Sequence, residues 1–240
     1  MLLRKKEEIE NWLNQYDINN YELIEDREYG YVVNANKGVY LIQQELKSID
    51  VKFNIIKGDF LCCFNELKSL KGSPNIVTKE FNCNSNNLES LVGCPKEIGT
   101  NFFCNSNKLI TLEGCPEIIN DYFDCSFNYL TSLEGGPKKV NKGFECNNNK
   151  LKTLKGCPEI IKGNFIIYNN ELEIQGLKYL PNKIENNFIK IYNNEKLYDL
   201  ENITDFEELK EKLNIYFEKE NLLKSINKED LNKNNSINKI

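Results

Sequence analysis

Nine cysteines and a recurring set of carboxylates are the reactive side chains of this 240-residue chain, which contains no histidine. Without imidazole there is no side chain that titrates near neutral pH by default, so Ser-His-Asp and Cys-His catalysis and histidine-held metals are excluded. Cys83, Cys94, Cys104 and Cys115 follow one another at intervals of ten or eleven residues. Zinc sites use close Cys-x-x-Cys pairs instead. The cysteines are therefore expected to be reduced thiols buried in a core, and no metal or cofactor is expected. Cys63, adjacent to Cys62, should point to the opposite face and reach solvent. Asp59, Glu80, Asp124 and Glu145 are the carboxylates from which a hydrolase would draw an acid pair, although such residues are more often the solvated side of a sheet. No glycine-rich phosphate loop is present.

These residues are positioned by a repeat. Phenylalanine recurs at 60, 81, 102, 123, 144 and 165, a period of 21, with cysteine two places later at 62, 83, 104, 125 and 146. Asparagine follows at 65, 86, 107, 128, 149 and 170, leucine at 67, 88, 109, 130, 151 and 172, and a second leucine from Leu70 to Leu154. Each unit then has a glycine (Gly72 to Gly156), a proline two places on (Pro74 to Pro158) and a closing Val or Ile (Val77 to Ile161). One unit is too short to bury its own apolar residues, so successive units must stack as coils with a continuous core. Phe and Cys at i and i+2 share one face of a short strand, and these strands should pair in parallel from coil to coil. The asparagine is placed to bond turn and neighbouring-coil backbone as a ladder. Glycine and proline turn the chain on the far side.

The order F-x-C-x-x-N-x-L-x-x-L resembles the L-x-L-x-x-N-x-L segment of leucine-rich repeat proteins, over about residues 39–200. It departs from that pattern three places before the strand Phe, where Thr78, Gly99 and Asn120 stand for the usual leucine. The closer resemblance is to short 21-residue-repeat proteins frequent in bacteriophage and some bacterial genomes. The fold expected is an α+β leucine-rich repeat solenoid with short parallel strands on a concave face.

The period loosens at both ends. Ile9, Trp12, Leu13 and Tyr16 mark a helix over roughly 3–16, followed by strands turning at Gly30 and at 36–38. Residues 1–38 are expected to be a helix and hairpin cap, 39–200 the solenoid, 201–231 a helical cap and 232–240 a disordered tail. Val39, Leu41, Leu46, Ile49 and Ile56 fit one further upstream unit, and Asn187–Leu200 reads as a loosened last one. Thr204 with Glu207 forms a capping-box signature for a helix over about 205–218.

Residues alternating with the buried Phe and Cys should line the concave face. Most are small and polar, among them Asn101, Asn105 and Ser126, with Asp124 and Glu145 alongside. Phe103, Tyr122 and Tyr168 break that pattern and are expected to be exposed; Phe64 and Phe127 either join them or pack away. Aromatic anchors ringed by polar groups suit protein recognition. The expected activity is noncatalytic binding of another protein through this face. A net charge of −5 disfavours direct nucleic-acid binding. The absence of an apolar span or leader points to a cytoplasmic protein, in the bacterial host if phage-encoded. The resemblance implies an inhibitor of a host defence effector, such as a CRISPR nuclease complex, which would make the partner a ribonucleoprotein. The alternatives are a structural or adhesion component of a virion or cell surface, and a hydrolase using the acidic residues.

Overall fold

A computed structural model of the chain describes residues 2–186, 188–192, 200 and 203–237, the last twelve by backbone alone. Parallel strands stack at about 21-residue spacing through about 7 turns of a β-solenoid. The Phe-x-Cys segments form its longest ladder. Eight two-residue strands pair in sequence order, at Val39–Tyr40, Phe60–Leu61, Phe81–Asn82, Phe102–Phe103, Phe123–Asp124, Phe144–Glu145, Phe165–Ile166 and Ile189–Lys190. The register is strict, with Phe opposite Phe from Phe60 to Phe165. These rings are fully buried, and adjacent centroids lie 5.2 to 5.9 Å apart. Each ring thus shields its neighbours, and truncating one would open a cavity costing about 3–5 kcal/mol.

The closing Val and Ile of each unit form further parallel strands, which the sequence reading placed only as apolar closing residues. Ile76–Val77 and Glu97–Ile98 continue a five-stranded sheet from Tyr21–Asp26, Gly30–Ala35 and Phe53–Ile56. Ile118–Ile119, Lys139–Val140, Ile160–Ile161 and Lys183–Ile184 form a four-stranded one. Each regular coil therefore has two short strands with the core between them. The N-terminal hairpin belongs to the first of these sheets, since Val33 pairs with Phe53. Helix α1, Lys6–Gln15, buries Ile9, Trp12 and Leu13, and the Trp12 ring meets Phe53 edge-on at 6.2 Å.

The two corners of a coil are chemically distinct. At the far corner Gly114 has φ 95°, and a Cβ there would stand 2.3 Å from the Leu91 carbonyl oxygen of the preceding coil. Only glycine accepts both the left-handed backbone and that approach. At the near corner the residue before each ladder asparagine is also left-handed, with φ 51 to 56° at Phe64, Ser85, Ser106, Phe127, Asn148 and Asn169.

The asparagine fills the space that this corner makes. Asn107 donates from Nδ2 to the carbonyls of Cys104 and Asn105 in its own turn, and to Cys83 of the preceding coil at 3.0 Å. Its Oδ1 accepts from the Leu88 N–H, also of the preceding coil, at 3.0 Å. Asn128 repeats the pattern with Cys104, Cys125, Ser126 and Leu109. The same bonds recur from Asn86 to Asn170.

The C-terminal helix α2 runs Phe206–Ile237, well beyond the expected 205–218 and through residues 232–237 of the stretch expected to be disordered. Its cap is Asp205, whose Oδ1 accepts from the Glu208 N–H at 2.9 Å, and not the expected Thr204. Thr204 is drawn into the solenoid, because its carbonyl accepts from the Ile189 N–H. Of the loosened last unit, Asn187 and residues 193–199 lie outside the described residues. Among the described residues no helix is long and apolar enough to cross a membrane.

Replacing Asn107 or Asn128 with alanine strands one buried N–H and several carbonyls. Thermal or urea unfolding should show a loss of about 1–3 kcal/mol for each variant. Asn105→Ala, which removes one long bond of 3.4 Å to the neighbouring Ser106 hydroxyl, should change stability by less than about 0.5 kcal/mol. Equal effects at the two kinds of site would refute the ladder's structural role.

Candidate functional site

The outer face of the Phe ladder, with the curl that follows each of its strands, carries the residues expected to bind a partner. Phe103, Asp124 and Glu145 occupy successive rungs, since Asp124 is paired with both others across the parallel register. Their Cα atoms are therefore about 4.8 Å apart from rung to rung. Asn101, Phe103 and Asn105 share one coil, Tyr122, Asp124 and Ser126 the next, with Glu145 and Tyr168 on the two that follow.

The exposure of these residues differs from the expectation at several points. Tyr122 is 47% exposed, but Phe103 and Tyr168 are only partly so. Ser126 is buried at 3% and Asn147 at 2%, although both alternate with inward cysteines. Cys63 is buried at 4%, not exposed. The alternation rule presumes an extended strand, and here the strand ends after two residues. Residues 63, 126 and 147 fall where the chain begins to curl around the asparagine, between rungs on either side. Phe64 and Phe127 do reach solvent, each 55% exposed. An aromatic residue in left-handed backbone is uncommon and costs of order 1 kcal/mol or more.

Tyr122 is held by two residues of the next coil, Gly143 and Lys142, that lie outside the expected site. Its ring lies over Gly143 of the next coil, where a Cβ would come within 2.7 Å of the ring. Lys142 Nζ stands 5.6 Å from the ring centroid and is itself bonded to Asp121 at 2.7 Å. A glycine in an otherwise polar or aromatic column was the available signal. Tyr168 stacks on Tyr192 at 4.4 Å and 7°, with Lys190 over both rings. Asn101 Oδ1 accepts from the Tyr122 N–H at 3.3 Å, and Nδ2 donates to Glu80. Asn105 donates to the Ser106 hydroxyl at 3.4 Å.

The carboxylates are the electrostatic centre of the face. Asp124 Oδ1 accepts from the Ser126 N–H at 2.8 Å and hydroxyl at 2.5 Å. Burial nevertheless pushes the Asp124 pKa up, the Ser126 bonds opposing it. Glu145 is raised by burial and by the Asp124 charge. The two residues sit side by side across the register, Asp124 half-buried and Glu145 exposed. Asp59 and Glu80 lie on earlier rungs of the neighbouring column and do not join them.

The cysteines form an internal ladder. All nine are free; Cys62, Cys63, Cys83, Cys104, Cys125 and Cys146 are buried, and Cys94, Cys115 and Cys157 partly so. Burial raises every thiol pKa, which disfavours the thiolate that metals and nucleophilic chemistry require. Among the described residues no three His, Cys, Asp or Glu side chains gather as a metal site would need.

No family model, no curated protein and no solved structure matches the chain.

The buried thiols make stability sensitive to alkali. A thiol whose pKa is raised by folding contributes fully below its unfolded value, about 8.5, and progressively less above it. Each buried thiol should lower stability by about 1.4 kcal/mol per pH unit above that value. The five ladder thiols Cys62, Cys83, Cys104, Cys125 and Cys146 alone give a slope of roughly 7 kcal/mol per unit. Denaturant melts in reducing buffer should therefore show steep loss between about pH 9 and 10. Cys104→Ala should flatten the slope by about 1.4 kcal/mol per unit, and a slope unchanged by that substitution would refute the account.

Proposed function

We propose that the chain is a noncatalytic binding module that holds another protein against the outer face of the Phe ladder. The observation that carries this reading is the set of exposed rings on an otherwise polar sheet: Tyr122 on its shelf of Gly143 and Lys142, with Phe64 and Phe127 exposed at the left-handed corner beside it. A ring already held, as Tyr122 is, loses little conformational freedom on binding, which favours it as an anchor. Phe103 and Tyr168 present partial ring surface between them, and Asn101, Asn105, Asp124 and Glu145 supply polar contacts; buried Ser126 acts through Asp124.

The repeat's order supports assignment to the leucine-rich repeat type, and its resemblance to phage-borne 21-residue repeats supports a cytoplasmic inhibitor of a host defence effector. A ribonucleoprotein nuclease complex is the partner that this context favours. A hydrolase is the second reading, and the adjacency of Asp124 and Glu145 favours it. That reading requires a substrate whose turnover falls with Asp124→Asn while protein binding is unaffected.

The binding reading is tested by affinity capture from host lysate, followed by binding measurements with the purified partner. Truncating a central anchor costs about 2 kcal/mol or more of binding, so Phe103→Ala with Tyr122→Ala should abolish the complex with little change in melting. Phe102→Ala or Phe123→Ala should instead lose about 3–5 kcal/mol of stability. Normal binding by the folded double variant would place the partner elsewhere.

A further inference from the structure

We propose that the first rung of the Phe ladder is a strand-addition site, where an extended peptide segment of a partner protein pairs with the free edge of Val39–Tyr40. In this sheet each rung accepts hydrogen bonds from the coil before it. The Val39 N–H donates to the Asp59 carbonyl at 2.8 Å, and the Leu41 N–H to the Leu61 carbonyl at 2.7 Å. The pattern continues without a gap, from Phe60 to Glu80 and Cys62 to Asn82 as far as Phe165 to Phe188 and Ile167 to Lys190. Gly38 and Tyr40 stand where Asp59 and Leu61 stand in the next coil. The residues before them form helix α1 and a hairpin of the other sheet, so no rung precedes them. Among the described residues no backbone donor reaches either carbonyl. The Tyr40 N–H opens on the same edge, because alternate residues in a parallel ladder turn their backbone groups to opposite neighbours.

Comparable groups at the ladder's ends are closed. At the far end the Ile189 N–H donates to the Thr204 carbonyl at 3.0 Å, in the extended segment that bridges Asp205 to Phe188. On the first rung itself the Ile42 carbonyl accepts from Gln44 Nε2 at 3.1 Å. The Gly38 and Tyr40 positions lack such a cover, and an unpaired edge is a template for another chain. A groove of about 310 Å³ borders it. Its lining includes Gly38, Tyr40 and Gln44 of the first coil, and Tyr16, Asp17 and Ile18 where the chain leaves helix α1.

The order of the groups decides the ligand. Carbonyl, N–H and carbonyl at strand spacing match the N–H, carbonyl and N–H of an extended backbone, whereas an anion or a cation meets only part of that series. The register is parallel, as at every inner rung. The Tyr40 ring is 55% exposed on the outer lip and offers apolar surface to a peptide side chain on that face. A second copy of this chain fits less well, because the ladder end that would supply N–H groups in this register is already taken by Thr204. A loop or terminus of a partner carries no such closure. The site is at the end of the solenoid and does not rest on the ring surface proposed above, since its test uses a peptide and not that partner.

The probe is a fluorescein-labelled, end-blocked peptide copying Thr78–Asn86, because Phe81 and Cys83 of that segment already donate to the next coil in the required register. Anisotropy titration of full-length protein in reducing buffer should show saturable binding below about 1 mM. N-methylation at the peptide position copying Cys83, whose N–H would meet the Tyr40 carbonyl, should weaken binding about tenfold. The same change at the position copying Asn82, whose N–H would face solvent, should weaken it less. On the protein, Tyr40→Pro removes the edge N–H, a change that an edge strand tolerates. It should weaken the peptide about tenfold more than Tyr40→Ala does, with thermal melts confirming that both variants fold. Should the proline variant not fold, the two methylated peptides decide the matter. Absence of binding up to about 1 mM overturns the proposal. So does an equal loss from the two methylations, or equal affinity of the folded proline and alanine variants. Self-association in sedimentation velocity that the peptide competes away assigns the edge to a second copy and overturns it too.

Discussion

The asparagine at the near corner of every coil is the interaction on which the solenoid depends. A chain that turns after a two-residue strand leaves carbonyls pointing inward with no strand partner. Buried backbone groups must be paired. One amide side chain pairs two of these in its own turn, reaches a third in the preceding coil and accepts an N–H from that coil as well. No other uncharged side chain combines two donors and an acceptor at this length. Because the bonds cross to the preceding coil, each asparagine also sets the register of the stack, and the Phe column follows from it.

Strict register has opposite effects inside and outside. Inside, it lays Phe on Phe and Cys beside Cys, so each apolar side chain is covered by its own equivalents. Outside, it turns every sequence position into a column in which like charges meet. Inter-coil ion pairs spaced 21 residues apart relieve part of this at Lys138–Glu117 and Lys142–Asp121. Such exposed pairs contribute only about 0–1 kcal/mol each; their larger effect is to keep the column from repelling itself.

The same register gives the outer face its rigidity. A ring on a two-residue strand would be mobile by itself. Tyr122 is confined because the next coil offers a glycine beneath it and a lysine beside it. Phe64 and Phe127 sit at the corner in left-handed backbone, with about half of each ring exposed. Recognition and stability are therefore separable by a single position: Phe102 and Phe123 belong to the core, Phe103 and Tyr122 to the surface.

The period, the inward Phe and Cys, the asparagine ladder and the glycine corner were legible in the sequence, because each is a local requirement repeated at a fixed interval. The tertiary structure alone decided the rest. The closing Val and Ile became strands because the preceding and following coils supply partners that no single unit contains. Cys63, Ser126 and Asn147 were read as surface residues by alternation, yet they are buried, since the strand stops short and neighbouring rungs close around the curl. At the C-terminus the sequence pointed to Thr204 as the helix cap, and the structure moved the start of the helix one residue on. Pairing settled it: the Thr204 carbonyl is bound by Ile189 of the last described strand, so the helix can begin only one residue later, with Asp205 as its cap.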